Sequence, residues 1–189
     1  MVKIPPLAPS ARWFKDYFTA VISGKTEVEA VISANLKLDS SRDFGRYSLL
    51  DTSGKEIMLS VAVNGGGRQL RSLDKVSQAK LSEHGDWRKN HLGAIEACLG
   101  RKPFYPYIIE RITPVYNDRS LVTLADFNSA IFNVVRAFLM GDISANQLKE
   151  LSGTEAVASR GKEIADSFLP RISLLQYLSI FGRETLLGL

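Results

Sequence analysis

The segment running from His84 to Tyr116 constrains this chain more than any other part of it. It opens as His84-Gly85-Asp86-Trp87-Arg88-Lys89-Asn90-His91, continues through an apolar run to Leu99, and passes Arg101-Lys102-Pro103-Phe104-Tyr105-Pro106-Tyr107 before ending at Tyr116. Asp86 is a candidate N-cap. Ile95, Cys98 and Leu99 recur at helical spacing, with Trp87 and His91 on neighbouring faces of earlier turns. Gly100 predicts the stop, and a second, proline-flanked helix is predicted over residues 104–116. Both histidines, the single cysteine, one of the two tryptophans and three of the six tyrosines fall in this one segment.

The flanking sequence sets the fold class. Residues 2–7 read as an edge strand, because Pro5 and Pro6 cannot serve a central ladder. Ser10 caps an amphipathic helix carrying Trp13, Phe14, Tyr17, Phe18, Val21 and Ile22 that ends at Gly24. Residues 28–34 are rich in β-branched side chains and read as a strand. Residues 47–52 and 56–63 alternate in polarity around Ser53-Gly54, which predicts a hairpin. A glycine loop, Asn64-Gly65-Gly66-Gly67-Arg68, follows, then a short strand over 75–81. A helix over 124–140 presents Phe127, Ile131, Val134, Val135 and Phe138 on one side. Residues 141–167 are polar with weak helical patterning. A last helix with Ile172, Leu174, Leu175, Leu178 and Phe181 is predicted to stop before Gly182. The expected architecture is mixed α/β: an N-terminal strand-helix-strand plus hairpin forming a small sheet, then a helix-rich second half, all in one domain over residues 1–189.

Composition narrows the function classes. Net charge is +4, from 24 basic and 20 acidic residues. That excess permits an anionic small molecule without demanding one. One cysteine allows no internal disulfide, the opening residues lack a signal-peptide core, and no apolar run is long enough to span a membrane. The expected location is the cytoplasm. Charge is not concentrated and no nucleic-acid motif occurs, so nucleic acid is not an expected partner. A homo-oligomer is left open. No HExxH or CxxC spacing occurs, and no metal site is assigned. No catalytic triad, P-loop or dinucleotide fingerprint is legible, and no cofactor is assigned.

His91 is the main catalytic candidate, because a histidine can exchange a proton near neutral pH. The alternative is a core histidine bonded to a backbone group where a helix meets a sheet. Trp87, one turn earlier, either stacks on a sugar or base or belongs to the core. His84 suits a cap or solvent role. Arg46, Arg68, Arg71, Arg88, Arg101 and Lys102 are the cations available to an anion, since a guanidinium fork matches phosphate. Cys98 sits among apolar neighbours and reads as inert core.

The same residues carry a family resemblance. Leu81, Ser82, His84, Gly85, Trp87, His91, Ala94, Ala97, Pro103, Phe104, Tyr105, Tyr107, Glu110 and Tyr116 stand in the register of the WbqC-like family. Asp126-Phe127-Asn128 resembles the family's helix opening. The tail from Phe168-Leu169-Pro170 to Gly182-Arg183-Glu184, and the start Pro9-Ser10-Ala11-Arg12-Trp13-Phe14, are similar to the family's in order. There are departures. Between Ser33 and Arg46 only the arginine of a usual polar series remains, with Leu38 at a tyrosine position and Gly45 at an asparagine position. Leu92, Leu99, Gln176 and Ile180 also differ from the usual residues.

The resemblance implies a bacterial protein of surface-polysaccharide (O-antigen) biosynthesis that transfers a small, glycine-type aminoacyl group to an activated sugar. In that reading His91 moves a proton, and Arg46, Trp87, Tyr107 and Asn128 bind a sugar nucleotide or another anionic small molecule. The departures motivate an alternative: a non-catalytic binding or assembly module with an eroded site. A third reading, adenylyl transfer with a phosphate at the start of the Ser10 helix, rests on the opening strand-helix-strand.

Overall fold

The computed structural model describes residues 45–66, 76–140, 163, 166, 167, 169 and 172–187. The expected strand-helix-strand of residues 1–44, including the Ser10 helix, lies outside them, as do Arg68, Arg71 and nearly all of 141–167. The described part is mixed α/β. A two-stranded antiparallel sheet, β1 (Arg46–Leu50) and β2 (Glu56–Ser60), packs with four helices: α1 (Trp87–Leu99), α2 (Tyr105–Asn117), α3 (Leu124–Met140) and α4 (Leu174–Leu187).

The predicted hairpin is present, with Arg46 opposite Ser60 and Leu50 opposite Glu56. Its turn is built by Asp51, whose Oδ1 accepts from the Ser53 amide (2.8 Å), the Ser53 hydroxyl (2.7 Å) and the Lys55 amide (2.9 Å). These bonds hold the Asp51 carboxyl below its ordinary range, the Ser53 hydroxyl first among them. Gly54 at φ 82° takes the left-handed position of the turn.

Regular pairing stops at Ser60, three residues short of the predicted end. There the chain leaves β1 and meets the segment 79–82 instead. The Asn64 amide donates to the Lys80 carbonyl (2.9 Å) and the Ser82 amide to the Ala62 carbonyl (2.9 Å). On the other side, the Leu81 amide donates to Val122 (2.8 Å) and the Leu124 amide to Ala79 (2.8 Å). The strand expected over 75–81 is therefore two isolated bridge positions, Lys80 and Leu81, preceded by a 3₁₀ turn at Val76–Gln78. The bridges satisfy backbone groups that burial would otherwise strand.

Asp86 and Gly100 bound α1 as expected but by other means, and the end of the last helix differs from expectation. Asp86 occupies the N-cap position of α1, but it is left-handed (φ 47°) and its side chain makes no capping bond. It follows Gly85 at φ 81°, a pair of left-handed residues that bends the chain into α1. Gly100 does end α1, though in a right-handed conformation. Its requirement is steric: an added Cβ would lie 2.6 Å from the Glu96 carbonyl oxygen. The last helix runs through Gly182 to Leu187. Glycine inside a helix is tolerated at about 1 kcal/mol, and here it does not stop the helix.

α3 begins with a reciprocal box in which the Asp126 amide donates to the Thr123 hydroxyl (3.1 Å) and the Thr123 amide to the Asp126 carboxylate (2.9 Å). The core joins Leu49 and Leu59 of the hairpin to Ile95 and Leu99, Ile108 and Ile112, Phe127 and Ile131, and Leu174, Leu175 and Leu178. α2 thus packs against α1, α3 and α4, and its end at Tyr116 reaches the hairpin side of the core.

Candidate functional site

The polar groups of this core converge on His91. α1 places His91 one turn after Trp87, facing the hairpin, and it is 3% exposed. Its Nε2 lies 3.1 Å from the Ser60 carbonyl oxygen, so Nε2 carries the proton and donates. Nδ1 then accepts, and the Tyr47 hydroxyl, 3.3 Å away, supplies the proton. With its proton spent, Tyr47 can only accept from the Tyr116 hydroxyl, which contacts it at short range. The result is a directed chain, Tyr116 to Tyr47 to His91 to Ser60, joining α2, β1, α1 and β2.

Electrostatics agree with that direction. Burial pushes His91 down to about 4, only partly opposed by its bond to Ser60. Burial, reinforced by Tyr116, raises the Tyr47 hydroxyl well above its ordinary value, and burial raises Tyr116 as well. Every member of the chain is neutral at pH 7, which suits the buried positions of Tyr116, Tyr47 and His91. Aromatic rings pack it edge to face: Trp87 against His91 (5.2 Å between centroids) and Phe127 (5.3 Å), and Phe127 against Tyr116 (5.2 Å). Trp87 is itself buried and donates to the Ser82 carbonyl (2.6 Å).

A second polar centre lies three residues earlier on α1, at Arg88. Arg88 is buried, with its guanidinium 4.8 Å from the Trp87 ring centre. It donates to the Tyr116 carbonyl (3.1 Å) and to Glu83 Oε1 from both Nε (3.3 Å) and Nη2 (3.2 Å). Glu83 also pairs with the exposed Arg119. Burial lowers the Arg88 pKa, though an arginine stays charged. Arg88 is committed to these partners, so among the arginines considered for an anion it is not available.

The remaining candidates divide. Arg46 is exposed at the start of β1, in register with Ser60, so it stands one residue pair from the carbonyl that His91 holds. Arg101 is exposed beyond α1. Tyr107 is 57% exposed on α2, on a different side from the buried Ile108, Ile112 and Tyr116. Asn128 is buried in the first turns of α3 beside Phe127. His84 is exposed in the turn before α1, and Cys98 is buried, with burial raising its pKa. Between α2, α3 and α4 lies a shallow apolar groove, with Arg111 over Phe138 (5.5 Å) as its polar member. No group of three or more metal-ligating side chains occurs among the described residues, and no described helix is long and apolar enough to cross a membrane.

Tyr47, Tyr116 and Ser60 complete the His91 chain and were not among the sequence candidates. Tyr47 carried a usable signal: it sits two residues from Leu49 on the inward face of β1, where a tyrosine needs a buried partner for its hydroxyl.

The chain belongs to the WbqC-like protein family, whose model matches residues 14–185. No match was found among curated proteins or among solved structures.

Proposed function

We propose that this WbqC-like chain is a non-catalytic binding or assembly module, in which the residues at the family's histidine and tryptophan positions hold the scaffold together. One observation carries the reading: His91 uses both ring nitrogens inside the core and is 3% exposed. A general base needs a reachable lone pair and a pKa near the working pH, and His91 at about 4 offers neither. The test is thermal unfolding against a panel of nucleotide sugars. The expected result is no saturable rise in Tm. A dose-dependent rise of several degrees that disappears in Arg46→Ala would overturn the reading.

That outcome would instead support the second reading, transfer of a small, glycine-type aminoacyl group to an activated sugar in the cytoplasmic assembly of a bacterial surface polysaccharide. Its favouring observation is Arg46, an exposed guanidinium paired with the residue whose carbonyl His91 holds. In it Arg46 grips the diphosphate and His91 relays the proton, while Trp87 and Asn128, buried in the core, and Tyr107, exposed on α2, do not converge with Arg46. Its own check is a mass increase on a sugar nucleotide incubated with an activated amino acid and this protein, lost in His91→Phe.

A further inference from the structure

The two edges of the hairpin sheet are treated differently. In the antiparallel register, Tyr47 with Leu59 and Leu49 with Ile57 exchange the ladder bonds, since Val61 donates to Gly45 and Asp51 to Lys55 in the same phase. The amides and carbonyls of the alternate residues therefore point outward. On β1 these outward groups are taken. Ser48 accepts from the Ser173 amide (2.7 Å), and Leu50 exchanges bonds with the side-chain amide of Gln176 (2.7 and 3.4 Å). On β2 the Ser60 carbonyl is held by His91. Among the described residues nothing takes the outward groups of Glu56 and Met58, and Met58 is 52% exposed. Native edge strands are commonly guarded by proline, charge or a bulge, and Glu56–Ser60 carries only the single charge of Glu56, at its end.

We propose that this edge pairs with the same edge of a second copy of this chain, giving a continuous four-stranded antiparallel sheet about a two-fold axis through Met58. The register follows from the outward groups. Met58 meets Met58, exchanging amide and carbonyl, and Glu56 meets Ser60 on either side. The Ser60 carbonyl has a second lone pair, so its bond to His91 is no obstacle. Charge favours this register over a foreign peptide. Arg46, Ser60 and the opposing Glu56 lie on one face in consecutive strands. With strands about 4.8 Å apart, a carboxylate and a guanidinium on either side of the small Ser60 hydroxyl are within reach of one another. Symmetry makes that pair twice. The interface is small, so the dimer is weak and concentration-dependent.

This deepens the assembly reading, and it is read by self-association in the absence of ligand, so the two fail separately. Sedimentation velocity from about 10 µM to about 1 mM should show the weight-average mass climbing toward twice the monomer. Met58→Pro removes only an outward amide and leaves the inner ladder intact. It should keep the circular dichroism spectrum and shift the dimerisation midpoint at least about tenfold higher. Glu56→Arg should do the same by setting two arginines face to face, and Arg46→Glu with Glu56→Arg should restore the dimer. Met58→Cys should cross-link to itself with a short bismaleimide, while Cys98, being buried, gives no product in the parent protein. A parent chain that stays monomeric to 1 mM overturns the proposal, as does a dimer that Glu56→Arg leaves unchanged or that the double exchange fails to restore.

Discussion

α1 is held by two polar centres three residues apart, Arg88 and His91, and they are built on opposite principles. The His91 chain is neutral throughout, buried at Tyr116, Tyr47 and His91 and ending on the exposed Ser60, and spans four elements. The Arg88 centre is charged, and its carboxylate partner, Glu83, is 49% exposed and shared with a surface arginine. The buried members of a neutral chain need one another, because a lone buried hydroxyl has no water to turn to. A charged centre with one wet partner tolerates loss better, because solvent replaces what is removed. The same helix therefore has one fastening that resists salt and fails in acid, and another that salt softens.

The largest expected loss of stability comes from His91→Phe. It strands the buried Tyr47 hydroxyl and removes the donor to Ser60, and the expected loss is about 3 kcal/mol in urea unfolding at pH 7. Tyr47→Phe combined with His91→Phe removes the stranded hydroxyl, so the double variant should be more stable than the sum of the single losses predicts. Strict additivity would mean that the two groups are not coupled.

Acid should reproduce part of that loss without mutation. The folded His91 pKa, about 4, lies below its ordinary 6.5, so on acidification the unfolded chain takes the proton first. The stabilisation is complete above pH 6.5 and is lost as pH falls toward 4, by up to roughly 3 kcal/mol. Unfolding free energies measured across that window should lose this slope in His91→Phe. A slope that survives the substitution would assign it to other groups.

Arg88→Met keeps much of the side-chain volume against Trp87 and removes the donor to Tyr116. The expected loss is about 2 kcal/mol, smaller than for His91 because Glu83 is returned to water. Equal losses at the two positions would erase the distinction drawn here. Smallest is Arg119→Ala, expected to change stability by less than about 0.5 kcal/mol at 0.15 M salt, since both partners are substantially exposed.

What could be read from the chain beforehand was its local structure. The alternation around Ser53-Gly54, the apolar spacing of α1 to α3 and the stop at Gly100 all follow from periods of two and 3.6 with punctuation. The boundaries that differed depend on distant partners. Pairing stops at Ser60 because residues 79–82 draw the chain aside, and Asp86 fails to cap because Gly85 has already turned the backbone. The site was half legible. His91 and Trp87 stand out by residue type and spacing, and the helix–sheet hydrogen bond considered for His91 is the one it makes. The Tyr47–Tyr116 contact joins residues 69 apart in sequence, and no local pattern announces it. Nor could the spacing of Arg88 show that its charge is already committed to Glu83.

Gln176 has a consequence for how the chain is made. Its side-chain amide imitates a neighbouring strand at Leu50, across 126 residues of sequence. During synthesis the hairpin leaves the ribosome long before that amide does. Through the whole interval the β1 margin of the nascent hairpin lacks the partner that Gln176 supplies, and a neighbouring polysome product presents the same bare margin. Early folding thus passes through a stage in which the hairpin is sticky, and translation speed between Leu50 and Gln176 sets how long that stage lasts.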